Sequence, residues 1–341
     1  RETMQKLLYP FSVIYNLLSE FNRKNTRAVK LYKPVISIGN ITWGGSGKTP
    51  VVIETAKYIL SLQKTPVILS RGYRRKTATK ESIAVRDKEK ILSTLEMSGD
   101  EPYMTAQKVE CPVIIGADRV QSAELAKKFS PDVFILDDGF QHWRLKRDLD
   151  VVCINAGNPF GNGMIIPAGI LREKLTSLKR AGIIIITNCD SVGGNILAEI
   201  QNTIYSITGK QPFLAKYGDF KIKNISETQQ MPSEFFQNKK VFMVCAIGSP
   251  SNFRKSIEKL GFTPEKEFIF RDHHEYLKED MASIFRDIGS DGIIITTEKD
   301  AIKIKDVVNQ TMAEKIFVLV PEIVFVSGRQ ELDNKIRELI K

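Results

Sequence analysis

The densest chemistry in the sequence lies in Gly39-Asn40-Ile41-Thr42-Trp43-Gly44-Gly45-Ser46-Gly47-Lys48-Thr49, which follows the apolar run 35–38 and leads into a helical pattern. Strand, glycine loop and helix in that order suit a nucleoside triphosphate. Glycines without a Cβ let successive backbone N–H groups turn toward one anion, and the helix N-terminus adds partial positive charge. Lys48 can reach the β and γ phosphates and the Thr49 hydroxyl can ligate Mg²⁺. Gly44, Gly45, Ser46, Gly47, Lys48 and Thr49 are the expected nucleotide-binding residues. The strict pattern G-x-x-x-x-G-K-[ST] has a glycine where this chain has Thr42, but the remaining glycines still supply the turns.

A companion carboxylate is expected at the end of another strand, and Asp132-Val133-Phe134-Ile135-Leu136-Asp137-Asp138-Gly139 supplies one. There Asp137 or Asp138 can hold Mg²⁺ directly or through water, although strand-end acids also serve as caps. Phosphoryl transfer to a hydroxyl also needs a group that accepts its proton. Asp100, in Ser98-Gly99-Asp100-Glu101-Pro102, stands where a helix would begin and is either that acceptor or an N-cap. Asp272-His273-His274-Glu275-Tyr276 holds two of the three histidines, and His142 follows the paired acids. Arg119 and Arg172 carry the planar fork that suits phosphate, with a surface ion pair as the ordinary alternative. Thr297-Glu298-Lys299-Asp300 is a polar cluster at a strand end that either lines a cleft or forms a solvated turn.

These groups need a sheet to hold them. Runs 35–38, 67–69, 113–115, 133–136, 151–154 and 183–187 read as buried strands, with helices expected at 49–62, 118–129 and 196–207. The pattern predicts an α/β fold: a P-loop NTPase-like, mostly parallel sheet with helices on both faces, plus a second, smaller α/β domain. The expected organisation is an N-terminal amphipathic segment at 1–33, a P-loop domain at 34–217, a linker at 218–239 and the smaller domain at 240–341. The smaller domain reads as strands at 241–247, 268–270, 292–296 and 316–319 and helices at 250–260, 278–288 and 330–340.

With 42% hydrophobic and 26% charged residues, the chain is an ordinary folded protein. Its four cysteines are scattered singly, which fits a reducing compartment without a disulfide framework. No Cys/His spacing matches a zinc site, so a metal would have oxygen ligands. Fifty Lys+Arg against 40 Asp+Glu, a net charge of +10, favours an anionic partner. The first 33 residues hold seven cations and two acids around a helix whose Leu7, Phe11, Ile14 and Leu18 share one face, so it lies on a bilayer or packs on its own domain. Neither a spanning helix nor a signal peptide is expected.

Taken in order, Ser37-Ile38-Gly39-Asn40, Gly44-Gly45-Ser46-Gly47-Lys48-Thr49-Pro50, Ser70-Arg71-Gly72-Tyr73, Gly99-Asp100-Glu101-Pro102, Asp137-Asp138-Gly139-Phe140-Gln141-His142, Pro167-Ala168-Gly169 with Leu171-Arg172-Glu173, Asp272-His273 and Thr297-Glu298-Lys299-Asp300 resemble the tetraacyldisaccharide 4'-kinase family. The resemblance implies an enzyme that uses ATP and Mg²⁺ to phosphorylate the 4'-hydroxyl of a tetraacylated glucosamine disaccharide 1-phosphate in lipid A biosynthesis. It further implies a peripheral protein on the cytoplasmic face of the bacterial inner membrane; apart from the resemblance, the chain is expected to be monomeric and without a nucleic-acid partner. On this basis Asp100 is the candidate base and His273 its partner. Lys48, Asp138, Arg119 and Arg172 join them as catalytic candidates, and Thr49, Asp137 and Glu173 are the metal candidates. The alternative is a membrane-associated P-loop ATPase switch acting on a protein, a group that carries a signature lysine where this chain has Trp43. No helix-turn-helix, zinc pattern or aromatic RNA-binding string supports a nucleic-acid binder.

Overall fold

The computed structural model describes residues 2–72, 81–218, 220–226, 230–236, 239–272 and 274–341. Strands form where β-branched runs can be buried on both faces and, toward the sheet edges, from shorter or more polar segments. They are β1 (Val35–Gly39), β2 (Pro66–Ser70), β3 (Ile83–Arg86), β4 (Val113–Ile115), β5 (Val133–Asp137), β6 (Leu149–Asn155), β7 (Ile183–Thr187), β8 (Phe213–Tyr217), β9 (Lys221–Asn224), β10 (Gln230–Met231), β11 (Lys240–Cys245), β12 (Lys266–Ile269), β13 (Gly292–Thr297), β14 (Ile316–Val320) and β15 (Ile323–Phe325). The chain divides into two compact units, one of residues 1–216 with 323–341 and the other of residues 217–322.

The first unit is built on a nine-stranded sheet of order β15-β8-β7-β6-β1-β5-β2-β4-β3. Its central pairs are parallel and β3 runs antiparallel to β4 at one edge. Because side chains alternate along a strand, Ile36 and Ile38 pack with Val52, Ala56 and Ile59 of the helix Lys48–Ser61. Val35 points the other way, into a cluster with Phe134, Leu136 and Ala123 of the helix Arg119–Ala126. The helix Gly194–Thr208 covers Ile184 and Ile186 through Ile200 and Ile204. Helices on both faces leave the carboxyl ends of the central strands as the open edge, where α/β sheets bind ligands.

The second unit has a six-stranded sheet of order β10-β9-β14-β13-β11-β12. Alternate residues of β11 face two separate cores, Phe242 and Val244 one of them and Met243 and Cys245 the other. The helix Lys278–Ile288 covers the first core and the helix Pro250–Lys259 the second.

Two boundaries differ from the expected ones. The stretch 218–239 contributes β9, which pairs antiparallel with β14, so part of the expected linker belongs to the second unit's sheet. The segment 323–341, expected in the smaller domain, returns to the first unit as β15 and the helix Arg329–Leu339. In that helix Leu332 and Ile336, with Ile340 just beyond it, join the core that contains Ile36 and Ile59. Few of its residues are apolar, so the pattern reads as a helix without indicating which sheet it covers. Ile336→Ala is expected to destabilise the first unit by about 2–5 kcal/mol. Chemical denaturation followed through that unit checks it, and an unchanged midpoint would mean the helix is dispensable.

The N-terminal segment forms the helix Glu2–Asn25, with Pro10 inside it. Its contact with the unit is polar. Ser12, 4% exposed, donates to the Ile165 carbonyl at 2.8 Å and accepts from the Ala168 N–H at 3.0 Å, and Lys174 reaches Glu20 at 3.3 Å. Leu7, Phe11, Ile14 and Leu18 are all exposed, Phe11 by 59% and Leu18 by 63%. The apolar face therefore does not pack on the chain's own core. Among the described residues, no helix is long and apolar enough to cross a membrane.

Candidate active site

The glycine loop joins β1 to the helix Lys48–Ser61, whose first residue is Lys48. Gly47 has φ +72°, and a Cβ there would meet Thr187 at 3.1 Å. From that position the Thr187 hydroxyl donates to the Ser46 carbonyl at 3.0 Å, and the Asn155 amide donates to the Gly45 carbonyl at 3.1 Å. Asn188 steadies Asn155 at 3.2 Å. With these carbonyls tied back, the loop's N–H groups are available to an anion. Thr42 pairs antiparallel with Leu171, and the Arg172 N–H donates to the Ile41 carbonyl at 2.7 Å. This ladder carries Arg172 to the loop from far along the chain.

The paired acids arrive from β5. Ile38 lies beside Asp137 in register, so the two carboxylates follow the strand adjacent to the loop. A Cβ on Gly39 would meet the Phe140 backbone nitrogen at 2.7 Å, and only glycine lets residues 138–141 approach this closely. Asp138 itself has φ +52°, in the sparsely populated left-handed region.

Lys48 approaches Asp138 at 3.4 Å and Arg172 holds both of its oxygens at 2.9 and 3.0 Å. Burial works against the Asp138 charge, but the two cations outweigh it and hold the carboxyl below its usual range. Asp137 behaves oppositely. Its carboxyl is pushed from 3.8 up to about 6, first by burial and then by Asp138 and Glu101, although Ser70 donates to it at 3.1 Å. A carboxyl whose folded pKa is raised stabilises the fold below the unfolded value and loses that contribution as pH climbs through the folded one. Between about pH 4 and pH 6 the first unit should therefore lose stability as Asp137 ionises. Asp137→Asn is expected to melt higher than wild type at pH 8 in the absence of nucleotide, with a lower melting temperature as the contrary result.

The same surplus of negative charge tests the fit of Mg²⁺. Asp137, crowded by Asp138 and Glu101, is a carboxylate that a divalent cation would relieve, and Thr49 lies in the first turn beside Lys48. Glu173, expected as a metal candidate, is tied to its neighbours. One oxygen accepts from Gln141 at 2.8 Å and the other from Arg180 at 2.8 Å, while the Gln141 amide also donates to the Asn40 carbonyl at 2.9 Å. Through these bonds Glu173 holds Gln141 and Arg180 in place. Arg119 is 4% exposed and donates to the Gly116 and Ala117 carbonyls at 3.1 and 3.3 Å. Burial lowers it to about 10 while Asp137 pulls the other way, so the two charges interact. His142 is pushed down to about 4 by burial and by Arg119 and Arg147, which keeps it neutral.

Asp100 opens the helix Asp100–Lys108 behind Gly99, which is itself the N-cap. That helix start lies close enough for Glu101 to raise Asp137. His273 lies outside the described residues. Its neighbour His274 is committed to the second unit's own structure, with Nε2 2.9 Å from Asp280 and the ring stacked on Phe270 at 4.5 Å. In the same unit Lys299 pairs with Asp272 at 3.1 Å, and Asp300 is fully buried, bonded to Thr297 and the Ala246 N–H. The cluster 297–300 is thus the start of a helix, Glu298–Ile304, capped by Thr297.

The chain has relatives among known proteins. The family model described as tetraacyldisaccharide-1-P 4'-kinase matches residues 4–341. A tetraacyldisaccharide 4'-kinase of Halothermothrix orenii is 38% identical, over 85% of this chain and 80% of its own length. That of Pelobacter propionicus is 30% identical over 99% and 93%. Among solved structures, "apo" form LpxK from Aquifex aeolicus in complex with ATP superposes with a TM-score of 0.80 at 30% identity, covering 99% of this chain and 100% of that one.

Proposed function

Because the chain belongs to the tetraacyldisaccharide-1-P 4'-kinase family, we propose that the edge shared by β1 and β5 is where it moves the γ-phosphoryl group of ATP to the 4'-hydroxyl of a tetraacylated glucosamine disaccharide 1-phosphate, a step of lipid A biosynthesis. The observation that carries the assignment of the site is the convergence of Lys48 and Arg172 on Asp138 at the mouth of the glycine loop. Two cations held by one carboxylate are preorganised for the charge that spreads over a transferring phosphoryl group.

In this reading the loop N–H groups and Lys48 cradle the triphosphate, and Arg172 faces the γ-phosphoryl oxygens. The sugar O4' forms the new bond to phosphorus as the bridging β–γ P–O bond breaks, and ADP departs. Asp100 accepts the hydroxyl proton, with His273 as the proposed relay partner of that carboxylate. Mg²⁺ would be held by Thr49 and Asp137 and would supply neutralising charge for the phosphates. Arg119 acts through Asp137.

The exposed apolar face of the helix Glu2–Asn25, beside the exposed cations Lys24, Arg27 and Lys30, supports peripheral docking on the cytoplasmic face of the inner membrane. A variant with Leu7, Phe11, Ile14 and Leu18 all changed to serine is expected to leave anionic phospholipid vesicles in a sedimentation assay that retains the wild type. Equal retention would remove the helix from the interface.

The test of the reaction is transfer of labelled γ-phosphate from ATP to the disaccharide 1-phosphate in detergent micelles with Mg²⁺. Labelled lipid is the expected product. ATP hydrolysis without labelled lipid would overturn the assignment of the acceptor.

A further inference from the structure

The residue that precedes the paired glycines of the loop, Trp43, is 65% exposed, whereas Ile41 and Thr42 just before it are buried. Its backbone is not loose, because the Trp43 N–H donates to the Ile170 carbonyl at 2.7 Å. A large amphipathic ring is therefore presented to solvent from a fixed point at the entrance of the phosphate loop.

What lies on either side of that point gives the ring a use. On one side is the loop that holds the transferring phosphate. On the other, Thr42 pairs with Leu171, Leu171 pairs with Ile165, and the Ile165 carbonyl accepts from Ser12 of the N-terminal helix. Neighbouring chains in such pairings are spaced by about 5 Å, so roughly 10 Å of backbone separates the loop from the segment on which the helix docks. The acceptor substrate has to cover the same interval, with acyl chains at the apolar helix face and the 4'-hydroxyl at the loop. Its sugar rings must cross between them, and Trp43 lies along that path. One face of a pyranose ring is a patch of C–H groups that packs on an indole π-face, and the indole N–H can donate to a ring hydroxyl.

Resting on the proposed function above, we infer that Trp43 is a substrate-contacting residue that stacks on a glucosamine ring of the acylated disaccharide and sets which acceptors reach the loop. It contributes to binding of the acceptor and not to the chemistry at phosphorus.

The test combines kinetics with emission. Trp43→Ala is expected to raise KM for the disaccharide about tenfold, with kcat and KM for ATP within about twofold of wild type, and Trp43→Phe to fall between. Emission of wild type minus that of Trp43→Phe isolates the Trp43 signal from that of Trp143. This difference is expected to shift when micelles contain the disaccharide 1-phosphate and to stay constant with empty micelles or ATP alone. An unchanged KM for the disaccharide, a matching loss of ATP affinity, or an equal shift with empty micelles would each overturn the inference. Absence of labelled lipid from the wild type would instead overturn the reaction on which it rests, so the two failures are distinguishable.

Discussion

Asp100→Ala is expected to lower phosphoryl transfer by about 10²–10⁴-fold, the usual range for removing a positioned general base, while leaving ATP affinity largely intact. Asp100 begins the helix Asp100–Lys108, outside the glycine loop, so its loss should not disturb the N–H groups that hold the triphosphate. Lys48→Ala is the contrasting variant. Lys48 opens the helix that follows the loop and lies 3.4 Å from Asp138, so its removal should weaken nucleotide binding and turnover together. Equilibrium binding of a non-hydrolysable ATP analogue beside the label-transfer rate separates the two patterns. If both variants lose nucleotide affinity equally, Asp100 is not the base.

Arg172→Ala should rank next, with kcat reduced by about 10²–10³-fold as for loss of one preorganised transition-state donor. Arg172 reaches both oxygens of Asp138, and Gln141 at 3.3 Å, through the single nitrogen Nη1, so the rest of its planar guanidinium is the part that would meet a phosphoryl group, and a lysine ammonium has no second nitrogen to offer there. Arg172→Lys is therefore expected to recover only a small part of the rate. The pH profile separates charge from geometry. Burial already opposes ionisation of Asp138, and removing one of the two cations that offset it raises its carboxyl. The acid limb of the kcat profile should then move to higher pH in Arg172→Ala and stay near the wild-type position in Arg172→Lys. Full recovery of rate by lysine would show that a point charge suffices.

Local signals carried the sequence reading furthest. The glycine loop was legible because its spacing has a direct geometric meaning, and the helix Lys278–Ile288 because its apolar period is clean. The short or half-polar strands β3, β8, β9, β10 and β15 were not anticipated, since their burial comes from the partner strand and not from their own composition. The same holds within the site. Lys48, Asp138 and Arg172 were legible as residue types, but the contact between Arg172 and Asp138 depends on the pairing of Thr42 with Leu171. Asn155, Thr187 and Asn188 were missed altogether. Each is a polar residue ending or following an apolar strand next to or near β1, and that position was their available signal. Glu173 was legible as a candidate carboxylate, but its bonds to Gln141 and Arg180 were not.

The route of the chain through the first unit bears on how the protein is made. β8 and β15 are neighbours in one sheet, yet the second unit beyond Tyr217 is synthesised between them. When a ribosome has completed residue 216, the face formed by Ile36, Ile59 and their neighbours still lacks Leu332, Ile336 and Ile340. Domains usually fold in order of synthesis, but here the earlier one must wait with apolar surface uncovered until the later one has been translated. The nascent chain thus passes through a stage in which a holdase would find a binding surface on the very helix that follows the phosphate loop, and slow translation across 217–322 would prolong it.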